Sequence, residues 1–539
     1  MNKVLKYKHL IDWPFLIFLI GITSVKLQVK IIILTLYLAF LLIRKIRLAN
    51  LKSNPTKFYL LMPVIGSLSA ALVGSFQFKE YGLGNIIGVV IWLMCALSFV
   101  LLSTAVNTID KNKIENSILT FFVINWMICI IQIAKMIIAS RHIFPYWYTE
   151  LSSIYGVSSG DHLHGIFQDN STVNAAISMI SVFYFLLLKK YKFAFISILV
   201  CLLCTSNLTV FILLFLLVVA FFIIRLQRVK ILLLGTMCFV MYMVISPENL
   251  LYVKRVIDKV NKEENSSTPV TNDAVTKKID QKTDSVISPP PPIHEAPIVH
   301  YSLSQIATQP CVHHQGQFPM HNILQDFTVP IEANLGSNSI YLKDRIPEDT
   351  NALRDVMGKW YGVPYNLLPL NIEPHSGKIL YLQQTLSLLK SGYQPCLVGV
   401  GIGNFSSKMA IKMTGFKLQG QYPERYRYIS RQYFENAFYV HMYFWAKSIP
   451  TRSIINYPGS VYCQIGGEYG MIGFAAFMLL YIGYFVKRAW ATDKRKLVLI
   501  LALLLMFFFD YWFEMLTLTI FFELFMLLDL KPNAKKSLT

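Results

Sequence analysis

Charge is scarce in this chain of 539 residues: Asp, Glu, Lys and Arg make up only 15%, while 54% is hydrophobic and the mean hydropathy is +0.48. Soluble domains carry about 25% charged residues, so an ordinary soluble fold is excluded and a membrane protein is expected. Cysteine is sparse as well. Of eight, Cys95, Cys129, Cys201, Cys204, Cys238 and Cys463 lie in or beside apolar runs, without zinc spacing or a dense disulfide framework. Cys311 and Cys396 sit in a long polar region and can pair only if that region is extracytoplasmic. A cleavable signal with a small-residue exit site is missing, so the first apolar run reads as a retained membrane helix. Internal repeats are missing too.

Long hydrophobic runs, by contrast, are abundant. A spanning helix needs about 20 mainly apolar residues. Candidate spans are 10–25, 29–43, 58–76, 85–106, 118–138, 172–188, 193–206, 208–224, 231–246, 461–486, 497–510 and 512–529. That is twelve, or eleven if 193–206 and 208–224 form one buried element. With the N-terminus in the cytoplasm, the cytoplasmic segments carry 24 Lys/Arg. Only Lys26, Lys30, Lys79, Lys135 and Arg141 remain elsewhere outside the long polar region. This asymmetry is the positive-inside bias. The formal charge of +20 is therefore mostly a topology signal, and nucleic acid is not an expected partner.

The expected organisation has four parts: a membrane domain over 1–246 with about nine spans, an extended or disordered linker over 247–339, a small helical loop domain over 340–460, and about three spans over 461–539. The linker is rich in Lys, Glu, Ser and Thr and runs into Pro289–Pro292, a composition that buries no core. The fold class is thus an all-α polytopic membrane protein of about 12 transmembrane helices, with a large extracytoplasmic loop between the ninth and tenth.

Several segments hold polar residues where the bilayer makes them costly. Asp161, His162, His164, Asp169 and Asn170 precede a membrane helix. They read either as a solvated loop with an N-cap at Asn170 or Ser171, or as groups facing a cavity. His162 and His164 with Asp161 are a weak metal signal, since a third well-spaced ligand is missing. Arg345, Arg354, Arg425, Arg427, Arg431 and Arg452 cluster in the loop among aromatics, with Arg427 and Arg431 four apart. Glu435 offers a surface pair as the plain explanation. Arginine also grips phosphate oxygens through two parallel hydrogen bonds. His441 and Glu435 are nearby proton acceptors. VGVGIGNF, Val398–Phe405, lacks the downstream acid of a dinucleotide fingerprint and reads as a turn of close backbone approach. In YPGSVYCQIGGEYGMIG the glycines permit tight helix packing, which covers Gly470 and Gly473 but leaves Glu468 unexplained. A carboxylate at the bilayer edge marks a functional site by default.

Three segments together resemble the bacterial O-antigen ligase and polymerase superfamily of polytopic membrane glycosyltransferases, in a form similar to proteins of the Bacteroidetes group. GIFQDNSTVNAA (165–176) is similar to the family's entry to a central helix. Gly399, Gly401, Asn404 and Phe405 are similar to its periplasmic-loop element, and Ser460, Tyr462, Gln464, Glu468, Gly470 and Gly473 to the pattern that closes the loop. The resemblance implies transfer of a glycan from an undecaprenyl-pyrophosphate carrier to lipid A–core or to another repeat unit, at the periplasmic face of the inner membrane. Relatives use protein hydroxyls instead. No nucleotide sugar, cofactor or obligatory metal is implied. For such chemistry, residue type and position point to Arg427, Arg431 and Arg452, with Arg345 in reserve, for the pyrophosphate, and to Glu468 or His441 for the acceptor hydroxyl. Two departures stand out: Gly459, followed by Ser460, occupies the place of the ligase His, and Asn207 that of a mid-chain Arg. They shift the reading towards a polymerase or a ligase with a relocated base. A lipid-linked-glycan flippase and a non-catalytic assembly protein are the rival readings. A flippase is expected to show a pseudo-repeat between halves, which one late 214-residue loop does not fit.

Overall fold

The structure is a computed structural model describing residues 10–24, 26–73, 81–147, 162–167, 171–204, 207–224, 227–245, 377–414, 426, 428–438, 440–441 and 457–529. Among these residues it is helical, with no strand. The first nine helices are Trp13–Ile22 (α1), Leu27–Ile43 (α2), Asn54–Leu72 (α3), Tyr81–Thr108 (α4), Lys111–Ser140 (α5), Ser171–Leu187 (α6), Tyr191–Leu203 (α7), Asn207–Ile223 (α8) and Arg228–Ile245 (α9). Polar starts fix their limits. Asp12 caps α1 by accepting from Phe15 N at 3.0 Å, and Asp110 caps α5 by accepting from Asn112 N at 2.9 Å. The stretch that could have been one buried element is two helices, α7 and α8.

From the long polar region come Gly377–Lys390 (α10), Tyr393–Val398 (α11) and Lys408–Met413 (α12). Then follow Val461–Ala476 (α13), a π-helical turn over Phe477–Ile482, Gly483–Thr492 (α14), Leu497–Met506 (α15), Trp512–Met515 (α16) and Thr517–Leu527 (α17). Among the described residues, four helical stretches are long and apolar enough to cross a membrane by length and composition: Tyr81–Thr108, Lys111–Ser140, Arg228–Ile245 and Val461–Thr492. Six further apolar helices have 10–17 residues. The expected spans 497–510 and 512–529 contain helices of 10 and 11 residues. Ten residues rise about 15 Å, half of a bilayer core. Between them, 507–516 turns inside the protein.

All described residues belong to one compact unit. Within it α4 packs on α3, α2 and α17, α6 on α7, α15 and α17, and α13 on α3. Aromatics fill the middle: Phe58 lies 5.7 Å from Trp92, 5.4 Å from Tyr481 and 5.7 Å from Phe513, ring centre to ring centre. The helices of the polar region join this body, α10 and α11 packing on α13 and α12 on α4. Their core includes Tyr381, Val400, Phe405, Tyr433 and Tyr511.

Candidate functional site: buried acids at a broken helix

Gly470 has φ +64° and ψ −164°, far from helical values and essentially open to glycine alone. The chain folds back there. Tyr462 and Phe477 are fifteen residues apart, a rise of about 22 Å in a straight helix, yet their ring centres are 6.4 Å apart. The break releases backbone carbonyls that a continuous helix would have used. Gly467 O and Glu468 O accept from Val400 N at 3.0 Å and Gly401 N at 2.9 Å. The glycine loop reaches them because its backbone lies against the bend: a methyl on Gly399 would sit 2.4 Å from the Glu468 carbonyl carbon. Ser69 donates to Gly399 O at 2.6 Å and Asn404 Nδ2 to Val400 O at 2.9 Å, which closes the loop. Phe405 is fully buried and stacks on Tyr381. The turn of close backbone approach expected at VGVGIGNF is present. The tight packing expected of Gly470 is present, a methyl there falling 2.6 Å from Leu397 O, and the chain also reverses at this residue; Gly473 lies against Tyr469 on the opposite arm.

Glu468 ends the first arm. Its exposure is 0%, and neither carboxylate oxygen has a hydrogen bond. The Ser407 hydroxyl and the Gly403 and Phe405 N–H groups are its neighbouring donors, and the Glu514 carboxylate is close enough to repel its charge. One turn earlier on the same face, Gln464 donates to Glu514 Oε1 at 2.6 Å, while Met409 N donates to Glu514 Oε2 at 3.0 Å. Asp510 accepts from Lys408 Nζ at 2.9 Å. Lys30 of α2 donates to the Met515 carbonyl. Lys412 completes the cluster beside Glu514 and Lys408. Glu514, Lys408 and Lys412 are half-buried, while Glu468 is sealed behind them. Such a group of acids, ammonium groups and an amide can hold a charged ligand and move a proton.

Ser460 accepts from Tyr462 N at 3.2 Å and donates to Phe507 O at 3.2 Å, tying the start of α13 to the 507–516 turn. Lys378 ties the same place from α10, donating to Gly459 O at 2.8 Å and Phe509 O at 3.0 Å. Burial pushes its ammonium down to about 7. His441 is buried among Tyr381, Tyr433 and Tyr457, with Nδ1 3.3 Å from Tyr433 Oη. Desolvation pushes its imidazole down to about 3. Arg431 is exposed at the start of a short helical turn. Arg345, Arg427 and Arg452 lie outside the described residues, as do Arg354, Arg425, Asp161, Asp169, Asn170 and Cys311. The side chain of Glu435 is likewise undescribed. Cys396 is a free thiol.

The structure therefore brings together Gly399, Gly401, Asn404, Phe405, Ser460, Gln464, Glu468, Gly470 and Gly473. Sequence reasoning missed Asp510, Glu514, Lys408, Lys412 and Lys30. Two acids within the apolar stretch FFFDYWFEM were a readable signal of the first two. The 162–167 loop forms a separate polar knot. Asn174 donates to Leu163 O at 2.9 Å, Ile166 N donates to Asn125 Oδ1 at 2.9 Å, and Gly165 N donates to Gln132 Oε1 at 2.8 Å. Among the described residues no three His, Cys, Asp or Glu side chains are grouped to hold a metal. No family model, curated protein or solved structure matches the chain.

Proposed function

We propose that the protein is a multi-pass glycosyltransferase of the bacterial inner membrane, of the O-antigen ligase or polymerase type. It moves or polymerises glycan from an undecaprenyl-pyrophosphate carrier onto lipid A–core or another repeat unit. Both termini face the cytoplasm and the long loop faces the periplasm, in keeping with the distribution of Lys and Arg. The observation that carries the reading is Glu468: a sealed carboxylate without a hydrogen bond, held at a broken helix beside Glu514 and Gln464. Burying such a group costs several kcal/mol unless something engages it, which is the signature of a working site.

In this reading an acceptor hydroxyl attacks the anomeric carbon. The carbon–oxygen bond to phosphate breaks, undecaprenyl pyrophosphate leaves with the electron pair, and the Glu468–Glu514 pair takes the hydroxyl proton. The leaving pyrophosphate needs cations to hold its charge.

The test is a gel profile of surface glycans from a deletion strain, complemented with wild type or Glu468→Gln. A single repeat left on the lipid anchor identifies a polymerase. Loss of all attached glycan, with full-length chains accumulating on the carrier, identifies a ligase. An unchanged profile in the deletion strain overturns both.

A further inference from the structure

Three ammonium groups from two distant parts of the chain meet at the acid cluster: Lys30 on α2, and Lys408 and Lys412 on α12. Lys408 and Lys412 are four residues apart and share a helix face. Each ammonium would be repelled by the other two, so the arrangement is stable only with counter-charge. Asp510 binds Lys408 directly, and Lys30 is spent on the Met515 carbonyl. Glu514 lies near enough to Lys412 to offset part of its charge, but makes no hydrogen bond to it and accepts instead from Gln464 Nε2 and Met409 N. Lys412 alone has neither a hydrogen bond nor an ion pair among the described residues, although it is half-buried. Burial, its largest influence, pushes it below the usual lysine range.

The helix that carries the pair is held rigidly. Ser407 caps it, accepting from Ala410 N at 2.9 Å, and Met409, Ala410, Ile411 and Met413 are buried on its other faces. A flexible surface lysine would leave for water. This one is half-buried on an anchored helix and has an unused donor.

We infer that Lys412, with Lys408 beside it, is the contact for the pyrophosphate of a polyprenyl-linked donor. The inference rests on the transfer reading and deepens it, by placing the leaving-group charge on α12 rather than on the loop arginines. Pyrophosphate suits the place because its oxygens accept from several ammonium groups at once. A donor held there by its pyrophosphate has Glu514 as a neighbouring carboxylate. Lysine suits the task as a compact point charge that can follow the phosphate as it departs.

The experiment is equilibrium binding of radiolabelled undecaprenyl pyrophosphate to the full-length protein in nanodiscs. Lys412→Gln is expected to weaken binding by about tenfold or more, the scale of one lost hydrogen bond to a charged group. Lys412→Arg keeps the charge, and is expected to retain most of the affinity and the thermal stability of wild type. Lys487→Gln, an exposed control, is expected to bind as wild type does. Inorganic pyrophosphate should compete with the lipid on wild type and more weakly on Lys412→Gln. Wild-type affinity in Lys412→Gln overturns the lysine site. If Arg431→Gln loses affinity instead, the anion is held by arginine and the transfer reading stands. Failure of the wild-type protein to bind the lipid at all overturns both.

Discussion

Glu468, Gly470 and His441 each make a claim that one substitution can check. Glu468→Gln keeps the shape and removes the acid. Transfer is expected to fall by about 10²- to 10⁴-fold, the usual range for a positioned proton acceptor. Stability should stay level or rise, because a buried carboxylate with no hydrogen bond is replaced by a neutral amide. A fall in melting temperature with activity intact would reverse that assignment. Gly470→Ala is expected to destabilise by about 1–3 kcal/mol from backbone strain alone. The new methyl also meets Gly399 N at 2.5 Å. Gly235→Ala meets nothing within 4 Å and is the control, expected to melt no lower than wild type.

His441 carries a pH prediction. Its imidazole is held at about 3 in the fold and at the ordinary 6.5 in the unfolded chain, so the proton is taken up only on unfolding. Stability is therefore lost as pH falls from about 6.5 towards 3. Replacing His441 by Phe should shrink the drop in melting temperature between pH 7 and pH 4. An unchanged drop would contradict the buried neutral imidazole. A group so hard to protonate is a weak base, which favours Glu468 for the acceptor hydroxyl. That distinction could not be read from the sequence, because both are lone polar residues until their surroundings are known.

The bend in α13 is the element on which the site depends. If the helix folds back, cysteines placed at Tyr462 and Phe477 are expected to be joined by a short thiol-bridging reagent, detected by peptide mass. A straight helix holds them about 22 Å apart and leaves them unjoined. The sequence contained part of this. Five glycines around Glu468 announced a special backbone, and the glycine loop announced close approach. What it could not supply was the pairing of Val400 and Gly401 with Gly467 and Glu468, because that contact joins segments some seventy residues apart. The half-length helices α15 and α17 were misjudged in extent for a related reason. Hydropathy counts apolar residues, and 507–516 is apolar although it turns.

At the scale of the molecule, the apolar helices and the helices of the polar region share one compact body. Helicity and membrane association were legible in composition and periodicity. The way Asp510, Glu514 and α12 converge was not, because it depends on how separate helices pack. If the topology proposed from the distribution of Lys and Arg holds, a periplasm-dependent reporter fused near residue 300 should be active. A cytoplasm-dependent reporter fused at residue 493 should fluoresce. The reverse pattern would turn the site to the wrong face of the membrane.

The central claim is that Glu468 and its neighbours release a glycan from a pyrophosphate carrier. The most direct measurement is a time course of undecaprenyl pyrophosphate release from its glycan-linked form, in proteoliposomes holding the purified protein and an acceptor glycan. The account predicts release matched by acceptor elongation with wild type, and its near-complete loss with Glu468→Gln at unchanged melting temperature. Equal release by wild type, Glu468→Gln and empty liposomes would contradict it.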